Sequence, residues 1–186
     1  MEGDLHEPDP ALLAAARTGD LRAFEALVRA YQADVWSIAR HVTRNETLAD
    51  DVTQEAFLRV HRFLPRFQGQ SKFSTWLFSI ARNCALDELR RGARRHRLGQ
   101  AAGAEPRPPA GEVGTRVEVR EALAALPLDL REPIVLVDLL GLKYSEAAAV
   151  MEVAEGTVKS RVHRARKAVA ASLGIAREGG EKTDEG

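Results

Sequence analysis

The chain has 186 residues, room for one domain or two small ones, with 27 Lys or Arg against 27 Asp or Glu, so a zero net charge gives no global sign of a nucleic-acid partner. A hydrophobic fraction of 45% supports a packed core, and the single cysteine, Cys84, excludes internal disulfides and any cysteine-rich zinc site. No apolar run approaches a membrane span, and the acidic start (Glu2, Asp4, Glu7, Asp9) is no signal peptide, so a cytoplasmic protein without membrane insertion is expected.

Apolar residues recur at helical spacing almost throughout and no segment alternates with period two, which predicts an all-α fold. The first helices are expected near residues 10–18, 20–43, 47–64 and 74–95. In the third, TLADDVTQEAFLRVHRFL, an inner stripe is formed by Leu48, Val52, Ala56, Val60 and Phe63. The opposite face presents Asp51, Gln54, Glu55, Leu58, His61 and Arg62. A lone exposed Leu needs no explanation; an apolar anchor inside a polar rim also describes a protein-docking face.

FQGQSK then reads as a loop turning at Gly69, with Ser74 as the cap of the next helix. On that helix Leu77, Ile80, Ala81 and Cys84 form the core stripe, and Trp76, Ser79, Asn83, Asp87 and Arg90 a strip roughly opposite. Aromatics beside amides and Arg suit single-stranded nucleic acid, because rings stack on unpaired bases, amides read their edges and Arg holds phosphates. Aromatics at helical spacing serve a core equally well. The cluster Arg90, Arg91, Arg94, Arg95 and Arg97 favours a phosphate contact.

Residues 98–116, LGQAAGAEPRPPAGEVGTR, are almost empty of large apolar side chains and are expected to form a flexible linker. Fully extended, it reaches roughly 60–65 Å. A second set of helices is expected near residues 116–125, 128–140, 145–151 and 155–173. The reading is two small helical domains, 1–97 and 117–175, joined by the linker and followed by a disordered tail at 176–186.

The second domain ends in YSEAAAVM, a short helix with Ser145 as its N-cap, then the tight turn Glu152-Val153-Ala154, then a basic helix. On the basic helix Val158, Val162, Ala165 and Val169 fall on one arc. Lys159, Ser160, His163, Arg164 and Lys167 fall opposite, flanked by Arg161 and Arg166, and no acid occurs between Glu155 and Glu178. Like charges at i,i+4 cost a few tenths of a kcal/mol each, so a one-sign face either is simply solvated or awaits an external anion. Short helix, turn and basic helix is the helix-turn-helix plan, whose second helix enters the major groove. The turn carries Glu152 where Gly is common. The five histidines, His6, His41, His61, His96 and His163, show no metal-ligand spacing, and no phosphate loop or nucleophile motif occurs. No catalysis, metal or cofactor is expected.

These pieces in this order resemble a bacterial RNA polymerase sigma factor of the extracytoplasmic-function class. The resemblance is carried by DDVTQEAFLRVHRFLPRF, KFSTWLFSIARNCALDELRR and LPLDLREPIVLVDLLGLKYSEAAAVMEVAEGTVKSRVHRARKAV, and spans about residues 10–173. It implies that the first domain reads and melts the minus-ten promoter element and docks on the clamp helices of the polymerase β′ subunit. The second domain would read the minus-thirty-five element and contact the β flap. Core polymerase then falls to Asp51, Gln54, Glu55, Leu58 and Arg62. The unwound minus-ten strand, with one base flipped out, falls to Phe67, Gln68, Ser71, Lys72, Phe73, Trp76, Asn83, Arg90, Arg91 and Arg94. The minus-thirty-five duplex falls to Thr157, Lys159, Ser160, Arg161, His163, Arg164, Arg166 and Lys167. An anti-sigma factor, membrane-bound or soluble, is the further partner that the class implies. The linker departs from the acidic type common in the class, since Glu105 and Glu112 are balanced by Arg107 and Arg116. The rival reading is a helix-turn-helix activator of the two-component response-regulator type, which would bring an α/β receiver domain.

Overall fold

The computed structural model describes residues 7–98 and 115–174, so most of the expected linker and all of the expected tail lie outside the described residues. Every regular element among the described residues is helical. Three of the first four helices begin at textually plain capping signals. Asp9 accepts from the amides of Ala11 and Leu12 and is followed by Pro10 at the start of α1 (Pro10–Arg17). Asp20 caps α2 (Leu21–Thr43) and Asn45 caps α3 (Glu46–Phe63) in the same way. A short 3₁₀ turn, Leu64–Arg66, carries the chain on through the loop to α4 (Phe73–Arg97).

α2, α3 and α4 pack together, and Leu27, Val35, Val60, Leu77 and Phe78 are almost wholly buried between them. The α3 stripe is Ala49, Val52, Ala56, Phe57 and Val60, with Leu48 half-buried. Phe63, expected inside, is 39% exposed. The 3₁₀ turn tightens the chain at this point and sends the next residue, Leu64, into the core instead. On α4, Leu77, Ala81 and Cys84 are buried as expected and Ile80 is half-buried. Ser74 is not the cap of α4: it lies in the first turn, and Lys72 occupies the cap position without a side-chain capping bond to the helix amides.

The second half comprises α5 (Thr115–Ala125), α6 (Leu128–Ile134), α7 (Tyr144–Met151) and α8 (Glu155–Ser172). The single helix expected over residues 128–140 is interrupted. Pro133 inside α6 has no amide to donate, and the chain continues as a π-helical turn, Val135–Leu139, closed by the Leu140 amide on the Val135 carbonyl at 3.0 Å. Ser145, expected as the α7 cap, is the second residue of the helix. Lys143 is the cap residue, and its amide donates to the Glu146 carboxylate at 2.9 Å. Glu152 ends α7 in the left-handed region at φ 57°, the turn of the helix-turn-helix.

The sequence reads as two domains on a tether, yet here the halves pack on each other. α7 lies against α4 and α6 against α2. Leu136, Leu142, Ala147 and Val150 belong to the same buried cluster as Leu27, Val35 and Phe78, while Leu126, Leu130, Ile134, Val135 and Ala165 form a separate core under α8. Across the junction the Arg82 guanidinium donates to both oxygens of Glu132, a pair with side chains only 15% and 7% exposed. Lys72 meets Glu146 at 3.0 Å. Burial opposes the charge on Glu146, but the Lys143 amide and the Lys72 ammonium together hold its carboxyl below the usual range.

Candidate nucleic-acid and protein interfaces

The loop before α4 is built on rings. Phe67 and Phe73 are buried, with centroids 6.1 Å apart, and Tyr31 meets Phe73 edge-on at 5.5 Å. Both phenylalanines therefore support the loop from beneath rather than offer faces to a strand, which corrects their expected role. Burial of two large rings stabilises the loop more than exposing them. Trp76, half-buried, completes the cluster at 4.9 Å from Phe67 and 5.9 Å from Phe73. Gln68, Ser71 and Asn83 are exposed. Gln68 accepts from Gln70 at 3.1 Å, and the Ser71 hydroxyl donates to the Lys72 carbonyl at 3.2 Å.

The arginine cluster on α4 is partly neutralised from within. Arg90 pairs with Asp87 at 3.1 Å, and Arg91 and Arg95 share Glu88 at 2.9 and 2.6 Å. Among the described residues Arg94 and Arg97 make no ion pair, and with Arg90, Arg91 and Asp87 they line an open hollow of about 370 Å³. One residue that periodicity cannot reveal sits at the head of this helix. The carboxylate of Glu7 accepts from the amides of Phe73 at 2.8 Å and Ser74 at 3.1 Å, and from the Ser74 hydroxyl.

On α3, Asp51, Gln54, Leu58 and Arg62 are exposed, Leu58 by 67%. Glu55 is half-buried and holds Arg59 at 2.7 Å, which reaches Asp87 on α4 at 3.4 Å. Arg59 thus ties the acidic face to the arginine strip, a link invisible along a single helix. Arg62 lies 5.7 Å from the ring centroid of Phe63, so an aromatic joins Leu58 as exposed apolar surface on this helix.

On α8, Val158, Val162 and Ala165 are fully buried and Val169 packs beside them, while Lys159, Ser160, His163, Arg164 and Lys167 are exposed. Thr157 and Arg161 are half-buried. The Ser160 hydroxyl donates to the Thr157 carbonyl at 3.0 Å. Lys159 pairs with Glu155 at 2.7 Å and sits 5.9 Å from the Tyr144 ring. Arg166, expected at the minus-thirty-five duplex, is instead engaged within the fold: it grips both oxygens of Asp138, at 2.9 and 2.6 Å, and so braces α8 against the π turn. Asp138 lies 28 residues earlier, which is why the helix alone gave no sign of it. Among the described residues Arg161, His163, Arg164 and Lys167 make no ion pair, and they form the uncompensated part of the basic face.

Behind that face, Val119, Leu123, Leu139, Val169 and Leu173 line a mostly apolar hollow of about 340 Å³, with Leu139 55% exposed. No pattern in the sequence singled it out, because its walls come from four separate elements. Cys84 is buried, and burial pushes its thiol up to about 11, which keeps it protonated and inert at neutral pH. No described helix is long and apolar enough to cross a membrane.

Set beside known proteins, residues 27–95 match sigma-70 region 2 and residues 116–169 match sigma-70 region 4. The chain is 41% identical over 169 residues to ECF RNA polymerase sigma factor SigC of Mycobacterium tuberculosis, covering 87% of this chain and 89% of the relative. It is 38% identical over 179 residues to ECF RNA polymerase sigma factor SigM of the same organism, covering 95% and 91%. Among solved structures it is similar to the sigma factor RpoE in complex with the anti-sigma factor NepR from Bartonella quintana. There the TM-score is 0.72 at 26% identity, over 84% of this chain and all of that one.

Proposed function

The chain belongs to the ECF class of sigma-70 RNA polymerase sigma factors, and from that membership we propose which of its surfaces does each part of the work. As a sigma factor it binds core RNA polymerase, recognises promoter DNA and starts transcription of a specific set of genes. The response-regulator alternative is set aside, because residues 27–95 match sigma region 2 and not a receiver domain.

The assignment of work follows the three faces. Residues 1–97 dock on polymerase and open the minus-ten element, residues 117–175 read the minus-thirty-five duplex, and residues 98–116 and 176–186 are linker and tail. Asp51, Gln54, Leu58 and Arg62, with Glu55 partly engaged by Arg59, meet the β′ clamp helices. Gln68, Ser71, Lys72, Trp76, Asn83 and the arginines of α4 take the unwound strand over a loop that Phe67 and Phe73 support from below. Unstacking a base costs a few kcal/mol, which the polymerase and this surface supply together. Thr157, Lys159, Ser160, Arg161, His163, Arg164 and Lys167 face the upstream duplex. The apolar hollow edged by Leu139 and Leu173 is assigned to the β flap.

The observation that carries the reading is α8, whose inner side is fully buried while its outer side keeps Arg161, Arg164 and Lys167 without ion-pair partners among the described residues. A helix held rigidly by one side, with unpaired guanidinium groups on the other, suits bidentate recognition of guanine edges. The packed halves must separate for both promoter elements to be reached at once. The linker's extended reach, roughly 60–65 Å, approaches two turns of duplex at about 34–36 Å each.

The reading further assigns the chain no bond-making chemistry of its own and a cytoplasmic place of action, with an anti-sigma factor as its restraint. RpoE, seen with NepR, supports that last assignment. A tagged chain recovered from a bacterial lysate is expected to bring the β and β′ subunits with it, and Leu58→Asp to lose them. Recovery without polymerase subunits contradicts the assignment.

A further inference from the structure

α4 is the longest helix among the described residues, and its own cap position is held by Lys72, which has no acceptor to offer its free amides. Those amides are not left to solvent. Glu7, 66 residues earlier, places one carboxylate oxygen on the Phe73 amide and the other on the Ser74 amide and hydroxyl. Phe73 and Ser74 are buried, at 2% and 2% exposed, so water does not substitute freely for the carboxylate. A negative group at a helix N-terminus is stabilised both by the orphan amides and by the helix dipole.

The position matters more than the cap. The residues Glu7 holds are the first two of α4, directly after the loop, and Phe73 packs edge-on against Phe67 and tilted against Trp76 in the cluster under that loop. Lys72, the residue before Phe73, pairs with Glu146 of α7. In the packed form the end of the loop is thus held by both Glu7 and Glu146. When the halves separate, Glu146 leaves with α7, and Glu7, which belongs to the same half as the loop, remains.

We propose that Glu7 is a positioning residue for minus-ten recognition: it fixes the start of α4 so that the loop keeps the shape that accepts an unpaired base once the second half has moved away. The inference rests on the assignment of residues 67–73 and α4 to the minus-ten strand. Glu7 does not touch DNA in this scheme. Its charge faces helix amides and, by itself, repels phosphate. Electrostatics alone therefore makes removal of the charge neutral or favourable for DNA binding, whereas loss of position makes it unfavourable for the correct sequence only.

The test uses holoenzyme reconstituted from core polymerase and the full chain. The probe is a single-stranded oligonucleotide bearing the non-template minus-ten segment of a promoter mapped by run-off transcription, compared with a base-scrambled one. Glu7→Ala is expected to lower discrimination between the two about tenfold, the size of losing a good helix cap. Affinity for the scrambled strand should stay level or tighten, and core binding should be unchanged. Glu7→Gln keeps a carbonyl acceptor for the Phe73 amide and should restore part of the loss; it also carries the test if Glu7→Ala does not fold. Asn83→Ala and Lys72→Ala serve as references. If they lower discrimination and both Glu7 variants leave it intact, the Glu7 inference is overturned while the minus-ten assignment stands. If Asn83→Ala and Lys72→Ala also leave it intact, the assignment itself fails. If the Glu7 variants lose core binding in proportion to discrimination, the residue is a general fold support and the inference is again overturned.

Discussion

His41, near the end of α2, lines a cavity of about 590 Å³ with Arg40, Arg120 and Arg131 where the first half faces the second. Burial, reinforced by the charges of Arg131, Arg40 and Arg120, pushes its pKa down to about 4 from the ordinary 6.5. The folded chain therefore keeps this imidazole neutral while the unfolded chain takes up a proton. Stability that is complete above pH 6.5 is lost progressively as pH falls toward 4, with a slope of at most about 1.4 kcal/mol per pH unit. Urea midpoints measured at pH 7 and pH 5 should show this fall, and His41→Gln should flatten it. An unchanged slope in the variant assigns the pH dependence to other groups. Two arginines on α8 separate by role at the same scale. Arg164→Ala should flatten preference among minus-thirty-five sequences, a change of about 1–3 kcal/mol at one base. Arg166→Ala should leave that preference intact and instead reduce the stability of the second half by up to about 1 kcal/mol, since its exposed pair with Asp138 is screened by solvent. Binding of holoenzyme to an upstream-element library, beside thermal unfolding, distinguishes them; identical behaviour contradicts the division.

At the scale of elements, faces explain what the sequence revealed. Asp9, Asp20 and Asn45 cap helices whose bounds periodicity alone sets, whereas the caps read from the sequence, Ser74 and Ser145, lie inside their helices; the alternation of buried and exposed positions on α8 follows from Val158, Val162 and Ala165. Leu58 stands out on α3 because it breaks a polar face, and it is exposed in the fold. Leu58→Asp should leave the fold intact but weaken core-polymerase binding by several kcal/mol, by burying an unpaired charge at the interface. Unfolding of the variant, or unchanged affinity in a competition assay, contradicts the docking face. The turn between α7 and α8 gives the opposite kind of prediction. Glu152 adopts φ 57° and ψ 44°, a conformation that costs an L-residue roughly 1–2 kcal/mol and glycine little. Glu152→Gly should raise stability by about 1 kcal/mol, or about 2–4 °C in Tm for a chain of this size, with DNA binding unchanged. A lower Tm contradicts the strain. Where local reading failed, a local change of helical geometry decided: the 3₁₀ turn at Leu64 carries Phe63 out of the core, and Pro133 divides a helix that periodicity continues.

At the scale of the whole molecule, the long-range contacts within and between the two halves have no signature in the chain. Glu7 with Ser74, Arg82 with Glu132, Lys72 with Glu146 and Asp138 with Arg166 join residues too far apart for any helical period to couple. The basic and acidic faces were legible because each lies on one helix; their partial neutralisation was not, because it depends on which helix lies alongside. The Arg82–Glu132 pair is the most buried of these ties. Glu132→Ala leaves the Arg82 charge buried and unpaired, at a cost of about 3–5 kcal/mol, and should shift the free protein toward separated halves. Small-angle scattering should show a larger radius of gyration with helix content retained; an unchanged radius contradicts the role of the pair in holding the halves together. As a sigma factor, the chain is a promoter-specific initiation factor. Run-off transcription on genomic fragments, with core polymerase alone and with core polymerase plus the purified chain, tests it most directly. Discrete transcripts from defined start sites should arise only when both are present, and transcripts identical to those of core polymerase alone would contradict it.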